Sequence, residues 1–405
     1  MKVCRRKGYF VLIPDARIGA SGDEAPRQPL GRRSRKARIW AERGIGTLSS
    51  AFGRCRQHPY CLHPEVLVKK KLTFGYLYDF RNPQQWRRPW ADLYAQTLEF
   101  ITWSESIGFD GAWVPEHHGS DDGYAPSPLV TLAAIAARTK TIKLGSAIAL
   151  APLYHPVRFA EECAVLDILS NGRLEMAVAI GYRRREAEAY GVDFSTRGRR
   201  TDEFLEIVRR LWAGETFSYE GKHFTLKNAS IVPTPIQGRI PLYIGGFTDK
   251  ALERTAKYGD GYFGNMEICD LYAEKLRACG KDPASGRVRI QGLFVLVARD
   301  PEKALAEVAP YYHYVNNAYG QWLNEDRAST GFGDTALLQP MTLEAFKASG
   351  ILSILTPSQA IDMFNGMLSK APVEHFMMMA PPGLPSAKLA EYAQVFATEV
   401  MPAFH

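Results

Sequence analysis

From Leu72 onward, the chain alternates between short apolar runs and longer segments in which apolar residues recur every three or four positions. Runs that are apolar at nearly every position are typical of strands buried on both faces, and the wider spacing is typical of amphipathic helices. This pattern predicts strands at Leu72–Tyr78, Gly111–Val114, Ile142–Ala149, Leu174–Ile180, Pro241–Gly246, Gly261–Phe263, Gln291–Ala298 and Glu374–Met379. Eight strands separated by helices indicate an α/β fold, a parallel (β/α)8 TIM barrel.

Two insertions interrupt this alternation. Phe217–Leu226 has the pattern of a small hairpin, with a turn at Tyr219–Lys222. Residues 311–356 form a long segment rich in tyrosine and tryptophan. Because long segments at the mouth of a barrel often cover or contact a ligand, we expect a lid or a binding loop there.

Residues 1–70 differ from the rest of the chain. Residues 1–71 hold seventeen Lys and Arg against five Asp and Glu, and the remainder carries a net negative charge. The basic stretch has no sustained period, so we expect a disordered extension before a barrel domain at 71–405. Since no methionine occurs between Met1 and Met176, we also hypothesise that translation begins near Val68 and that the extension is a start-site artefact.

Composition narrows the class of protein. Hydrophobic content of 46% and charged content of 23% are those of a globular protein with a large core, and the longest apolar runs are too short to span a bilayer. The six cysteines are scattered, which favours a reducing cytoplasm over a disulfide framework. The acidic barrel region argues against nucleic-acid binding, and no membrane partner is expected.

The most distinctive residues are Glu116, His117 and His118, which follow the second predicted strand. Active sites of barrel enzymes lie at the carboxyl ends of the strands, and histidine titrates near neutral pH. Adjacent residues point to opposite sides, so we expect one histidine to face the barrel mouth and interpret His117 as the catalytic residue. The alternative is a pair of loop histidines held by backbone carbonyls.

A second motif joins the fifth predicted strand to a helix through Gly245, Gly246, Phe247 and Thr248. Glycines permit close backbone approach, and the exposed amides at a helix start attract anions, above all phosphate. The alternative is a tight turn that binds nothing. Dinucleotide-binding, P-loop and nucleophile-elbow signatures do not occur, and no metal-ligand spacing appears.

Taken in order, these motifs resemble the bacterial luciferase family of flavin-dependent monooxygenases. The segments that carry the resemblance are Gly108–His118, His155–Glu161, Leu166–Arg173, Tyr190–Asp193 and Val400–Pro402. The resemblance implies a barrel that binds reduced FMN at its mouth, with His117 as catalytic acid or base. It also implies a cis peptide bond between Ala147 and Ile148.

The resemblance further implies which residues bind the cofactor. The phosphate is expected at the loop Gly245–Thr248. Ala179, Gly181 and Tyr182 are expected where the family's fourth strand meets the flavin ring system and the phosphate, and Ala147 is expected to contact the cofactor as well. The chain has Ala179 where the family member aligned has a reactive cysteine, and Ile180 where it has an arginine near the phosphate. Arg183 or Arg184 is the expected substitute, and the identity of the flavin stays open.

The function implied is that of a two-component monooxygenase. A separate flavin reductase supplies reduced FMN, dioxygen reacts with it, and the flavin hydroperoxide oxygenates a small organic substrate. Two alternatives remain: a deazaflavin-dependent oxidoreductase that transfers hydride, and a non-catalytic flavin-binding subunit. The resemblance also implies a homodimer.

Overall fold

The computed structural model describes residues 72–325 and 338–405, together with two short strands, Lys2–Arg6 and Tyr9–Ile13. The two strands pair antiparallel within a first unit, Met1–Lys69, and the second unit is Lys70–His405. No strand was predicted in the first unit. The prediction of a disordered extension stays a prediction, since most of residues 1–70 lie outside the described residues.

The second unit is built on a parallel sheet that returns to its starting strand. Its strands are β1 (Thr73–Tyr78), β2 (Gly111–Val114), β3 in two parts (Lys143–Ser146 and Ala149–Leu150), β4 (Met176–Ala179), β5 (Leu242–Gly245), β6 (Gly261–Gly264), β7 (Val288–Gly292) and β8 (Val373–Ala380). Hydrogen bonds run from the first part of β3 through β2, β1, β8, β7, β6, β5 and β4 to its second part. The predicted barrel of eight strands is therefore confirmed.

Helices follow the strands and bury their apolar faces against the sheet. They are α1 (Trp90–Ser106), α2 (Pro128–Arg138), α3 (Pro156–Leu169), α4 (Arg184–Ala189), α5 (Arg197–Trp212), α6 (Asp249–Tyr258), α7 (Cys269–Ala278), α8 (Pro301–Glu325), α9 (Leu343–Ser349), α10 (Pro357–Leu368) and α11 (Ser386–Glu399). Proline at the first helical position of α2 and α3 leaves no backbone donor unpaired there. Among the helices of the described residues, none is both long and apolar enough to cross a membrane.

The seventh strand was predicted in the wrong place. Val288–Gly292 is the barrel strand, whereas Val295–Val297 leaves the barrel and pairs parallel with Ser353–Leu355. The charged Arg289 concealed the buried strand, because its guanidinium is neutralised by Glu175 and Glu374 inside the barrel. The sequence therefore predicted the seventh strand in the more apolar run downstream, Gln291–Ala298.

The aromatic segment was also misread in part. Its first fifteen residues, 311–325, continue α8, which has Pro310 in its interior, and do not form a loop. Proline removes a backbone donor and usually ends a helix, which is why the helix was not predicted to pass through it. The predicted hairpin is confirmed, with strands Phe217–Glu220 and Thr225–Ala229.

Candidate functional site

His117 lies where β2 ends, at the carboxyl end of the barrel, and 8% of its surface is exposed. Its Nδ1 is 2.8 Å from Oε1 of Glu186, a residue of α4 on the far side of the loop that follows β4. The same carboxylate oxygen accepts the backbone N–H of His118 at 3.0 Å and an N–H of Arg183 at 3.2 Å. Three donors therefore meet at one oxygen.

This arrangement determines which nitrogen of His117 carries the proton. A carboxylate that already receives two donors accepts from Nδ1, so Nδ1 bears the hydrogen and Nε2 is left to exchange a proton with a ligand. Burial alone would raise the pKa of Glu186, but the hydrogen bonds from His117 and the His118 amide, with the charge of Arg183, hold that pKa below its usual range. Glu186 is thus an anion at neutral pH.

His118 makes a separate set of contacts. Its Nε2 is 3.0 Å from Oε1 of Glu116, and its Nδ1 is 3.0 Å from the hydroxyl of Tyr190. Glu116 also accepts the Leu150 amide at 2.6 Å and the Tyr154 hydroxyl at 2.8 Å. Both ring nitrogens of His118 are engaged by protein, which fits a structural role, whereas the ring of His117 contacts a different carboxylate.

Aromatic rings enclose the His117 imidazole. The Tyr124 ring stacks on it at 4.8 Å, and the rings of Trp322 and Tyr182 lie at 5.0 Å and 5.7 Å. Trp322 belongs to α8, so the helix that includes the first part of the predicted lid segment contacts the histidine directly. These rings keep water away from the imidazole.

A buried ion pair, formed by Arg81 and Asp122, lies next to these rings. Arg81, which follows β1, donates from Nε to Asp122 at 2.5 Å, and Asp122 also accepts the Tyr314 hydroxyl at 2.6 Å. The Arg81 guanidinium lies 4.7 Å from the centre of the Tyr124 ring. Burial raises the pKa of Asp79 to about 7, although the nearby Arg81 opposes the shift.

The residues predicted to hold a flavin ring meet on adjacent strands. The peptide bond between Ala147 and Ile148 is cis, as expected, and it separates the two parts of β3. The Ile148 side chain occupies the space of a Gly245 side chain, since a Cβ on Gly245 would lie 2.3 Å from its Cδ1. Ala179 pairs with Leu150 across β3 and β4. The backbone thus brings these positions to the carboxyl ends of three neighbouring strands.

The loop Gly245–Thr248, which was predicted to bind phosphate, precedes α6. Gly246 has φ +145°, and a Cβ there would lie 2.5 Å from that of Ala251, so only glycine fits. Thr248 caps the helix through the Ala251 amide at 3.3 Å, and Phe247 is half-exposed. Amides in the first turn of a helix have no intrahelical partner and favour an anion. The residues present therefore fit a phosphate group.

Gly181 and Tyr182 follow β4, between the histidine and the strands just described. Gly181 has φ +71°, and Tyr182 contacts His117 as noted. Of the two arginines expected to replace the family's phosphate ligand, Arg183 is buried against Glu186 and Trp322, whereas Arg184 is exposed and lies over the Phe194 ring at 4.7 Å.

Glu186, Arg81 and Asp122 were missed by the sequence analysis. The run Arg183–Glu186 follows the fourth predicted strand, so a carboxylate after a barrel strand was the available signal for Glu186. Arg81 and Asp122 form a pair that only the fold brings together. Within the described parts of the chain, no group of three or more His, Cys, Asp or Glu side chains could hold a metal ion.

The sequence is similar to that of known proteins. A family model described as luciferase-like monooxygenase matches residues 72–360. The oxygenase component of flavin-dependent trigonelline monooxygenase from Acinetobacter baylyi is 27% identical over 58% of this chain and 68% of its own length. An F420-dependent glucose-6-phosphate dehydrogenase from Microbacterium testaceum is 31% identical over 54% of this chain and 64% of its own.

The fold also has a counterpart among solved structures. The monooxygenase RslO1 from Streptomyces bottropensis superposes with a TM-score of 0.67, at 22% identity, over 82% of this chain and all of that one. At this identity the likeness shows the shared barrel fold alone.

Proposed function

Because the chain belongs to the luciferase-like monooxygenase family, whose members aligned above are oxidoreductases that use a flavin or a deazaflavin, we propose that it is the oxygenase of a two-component flavin-dependent monooxygenase. It would receive reduced FMN from a separate reductase and oxygenate a small organic molecule with dioxygen. The observation that carries the proposal is the buried pair of His117 and Glu186 at the carboxyl end of a barrel whose fifth strand leads into a loop that fits a phosphate.

Reduced flavin, when bound, supplies the electrons that activate dioxygen. The amides of Phe247 and Thr248 would hold its phosphate, with Gly246 allowing the close approach. The small side chains of Ala147 and Ala179 would leave room for the ring system between β3 and β4.

His117 would move a proton at Nε2. Glu186 holds the hydrogen on Nδ1 and stabilises the imidazolium when Nε2 is protonated. Trp322 and Tyr124 cover the ring and exclude water, which would otherwise divert the reaction. A passive flavin carrier would need neither the ionised partner nor the aromatic cover, which disfavours a non-catalytic subunit.

A second candidate is hydride transfer with a deazaflavin, favoured by the relative that uses F420. The two cofactors differ in their reaction with dioxygen, so one experiment separates them. The full chain is titrated without oxygen with reduced FMN and then with reduced deazaflavin, and oxygen is admitted to each complex. We expect tighter binding of reduced FMN and a change in its rate of reoxidation; binding of the deazaflavin alone would contradict the proposal.

We also propose a homodimer that forms through α2 and α3. Large apolar side chains stand exposed on this face: Val130 is 71% exposed, Leu169 61% and Val165 46%. They line a surface groove of about 630 Å³ that also includes Tyr190. Patches of this kind mark association sites in many proteins.

The scattered cysteines support the proposal of a reducing, cytoplasmic setting for the protein.

A further inference from the structure

Two buried arginines lie against the same aromatic ring next to His117. The guanidinium carbon of Arg183 is 4.2 Å from the centre of the Trp322 ring, and that of Arg81 is 5.1 Å from it. Both arginines are 2% exposed. Since a guanidinium does not lose its proton in a protein, each needs partners for all its donors once it is buried.

Those partners are incomplete in the part of the chain that the structure describes. Arg81 pairs with Asp122 through Nε and Arg183 with Glu186 through Nη1, but Nη1 of Arg81 and Nε of Arg183 meet no acceptor. The hydroxyl of Tyr182, whose ring is next to His117, is likewise without a partner. Three buried donors thus have no acceptor among the described residues, and a buried donor without an acceptor costs free energy of folding.

The neighbouring acceptors decide what kind of ligand fits. Oδ2 of Asp79 and Oε2 of Glu186 also lack partners among the described residues. The groups facing Asp79 are Arg81 and Asp122, with the hydroxyls of three tyrosines, Tyr124, Tyr314 and Tyr319. Burial raises the pKa of Asp79 to about 7, so near neutral pH this carboxyl also carries a proton that it can donate.

A cationic ligand fits less well than an oxygen acceptor. A cationic ligand binds over the faces of aromatic rings. Here the Arg81 guanidinium already lies over the rings of Tyr124, Tyr314 and Trp322, so a second cation would meet a like charge. Three of the five open positions, on Arg81, Tyr182 and Arg183, are N–H or O–H donors. Guanidinium and hydroxyl donors that point to a common ligand are the usual partners of a carboxylate.

On the basis of the oxygenase activity proposed above, we propose that Arg81, Tyr182 and Arg183 bind the carboxylate of an organic acid substrate. The subsite would hold the remainder of the molecule beside His117, because the Trp322 ring contacts both the arginines and the histidine. The substrate class is therefore a small carboxylic acid.

The test compares three probes of similar size on the full chain without flavin: benzoate, benzamide and phenyltrimethylammonium. Calorimetry slightly below neutral pH should show benzoate binding about tenfold more tightly than neutral benzamide, the ratio that one charge-assisted hydrogen bond provides. The cation should bind no better than benzamide.

Variants assign the effect to residues. Arg81→Gln should weaken benzoate about tenfold. Arg299→Gln is the matched control, since Arg299 pairs with Glu399 at 2.6 Å on the surface and should leave the affinity unchanged. Because Arg81→Gln removes the partner of Asp122 and can impair folding, Tyr182→Phe is a second variant, with an expected loss of about threefold or more for one neutral hydrogen bond.

Equal affinity for benzoate and benzamide, tighter binding of the cation, or no binding of benzoate at millimolar concentration would overturn the subsite. The outcome is independent of the proposed activity, since no flavin or oxygen is present. A protein that binds benzoate but does not react with reduced FMN would contradict only the oxygenase, and an active oxygenase that ignores benzoate only the subsite.

Discussion

The contact between His117 and Glu186 makes a sharp prediction. In the variant Glu186→Gln the side chain keeps its shape and one acceptor oxygen, but loses the negative charge that three donors share. Two consequences follow. The imidazolium form of His117 becomes less stable, and the amide, which is both donor and acceptor, no longer dictates which ring nitrogen bears the hydrogen.

The size of the effect can be worked out from the contact. A buried hydrogen bond to a charged group contributes about 1.5–3 kcal/mol, and a neutral one about 1 kcal/mol. The substitution therefore removes about 0.5–2 kcal/mol of stabilisation, which corresponds to a loss of about 2- to 30-fold in kcat.

Two measurements check this. Stopped-flow absorbance follows the reoxidation of reduced FMN by oxygen across pH, and long-range proton–nitrogen NMR of labelled histidine reports which nitrogen of His117 is protonated without any cofactor. Glu116→Gln is the matched control, because Glu116 pairs with the adjacent His118 at 3.0 Å and is equally buried. Equal effects of the two variants, or an unchanged NMR signature in Glu186→Gln, would refute the reasoning.

Three further predictions concern the cofactor loop, stability and assembly. Gly246→Ala forces a side chain into a filled space at a positive φ, so anaerobic titration should show at least about tenfold weaker flavin binding, whereas Gly366→Ala, where nothing lies within 4 Å, should bind normally. Burial, aided by a neighbouring arginine, holds the pKa of His375 well below its usual range. The unfolded chain takes up the proton near pH 6.5 and the folded chain does not, so the free energy of unfolding should fall by about 1.4 kcal/mol per pH unit below that value; urea titrations should find this slope reduced in His375→Gln. Leu169→Glu should convert a dimer into a monomer in light scattering, and Val165→Ala should not.

Local signals were enough to predict most of the barrel. The bounds of β2 agree exactly with the prediction because Gly111–Val114 is bounded by a turn and by Pro115, and the hairpin was recognised from its turn residues. The misplaced β7 shows the limit of this approach. A strand that carries a buried arginine has the hydropathy of a loop. The two carboxylates that neutralise Arg289, those of Glu175 and Glu374, are each more than 80 positions away from it in the sequence, so no local pattern reveals the pairing.

The site divides along the same physical line. His117 could be predicted because its place at the end of a strand is a local feature, whereas its partner Glu186 is 69 positions away and is brought to it by the barrel's closure. Arg81 and Asp122 likewise come from loops that follow different strands. In both cases a polar or charged side chain at the mouth meets a partner from a segment that follows another strand, although Glu186 also pairs with Arg183 of its own segment. The strands therefore determine where the loops meet, and the pairs formed between loops determine the charge around His117 and Arg81. A substitution in one loop should consequently change the properties of a residue in another, which is what Glu186→Gln measures at His117.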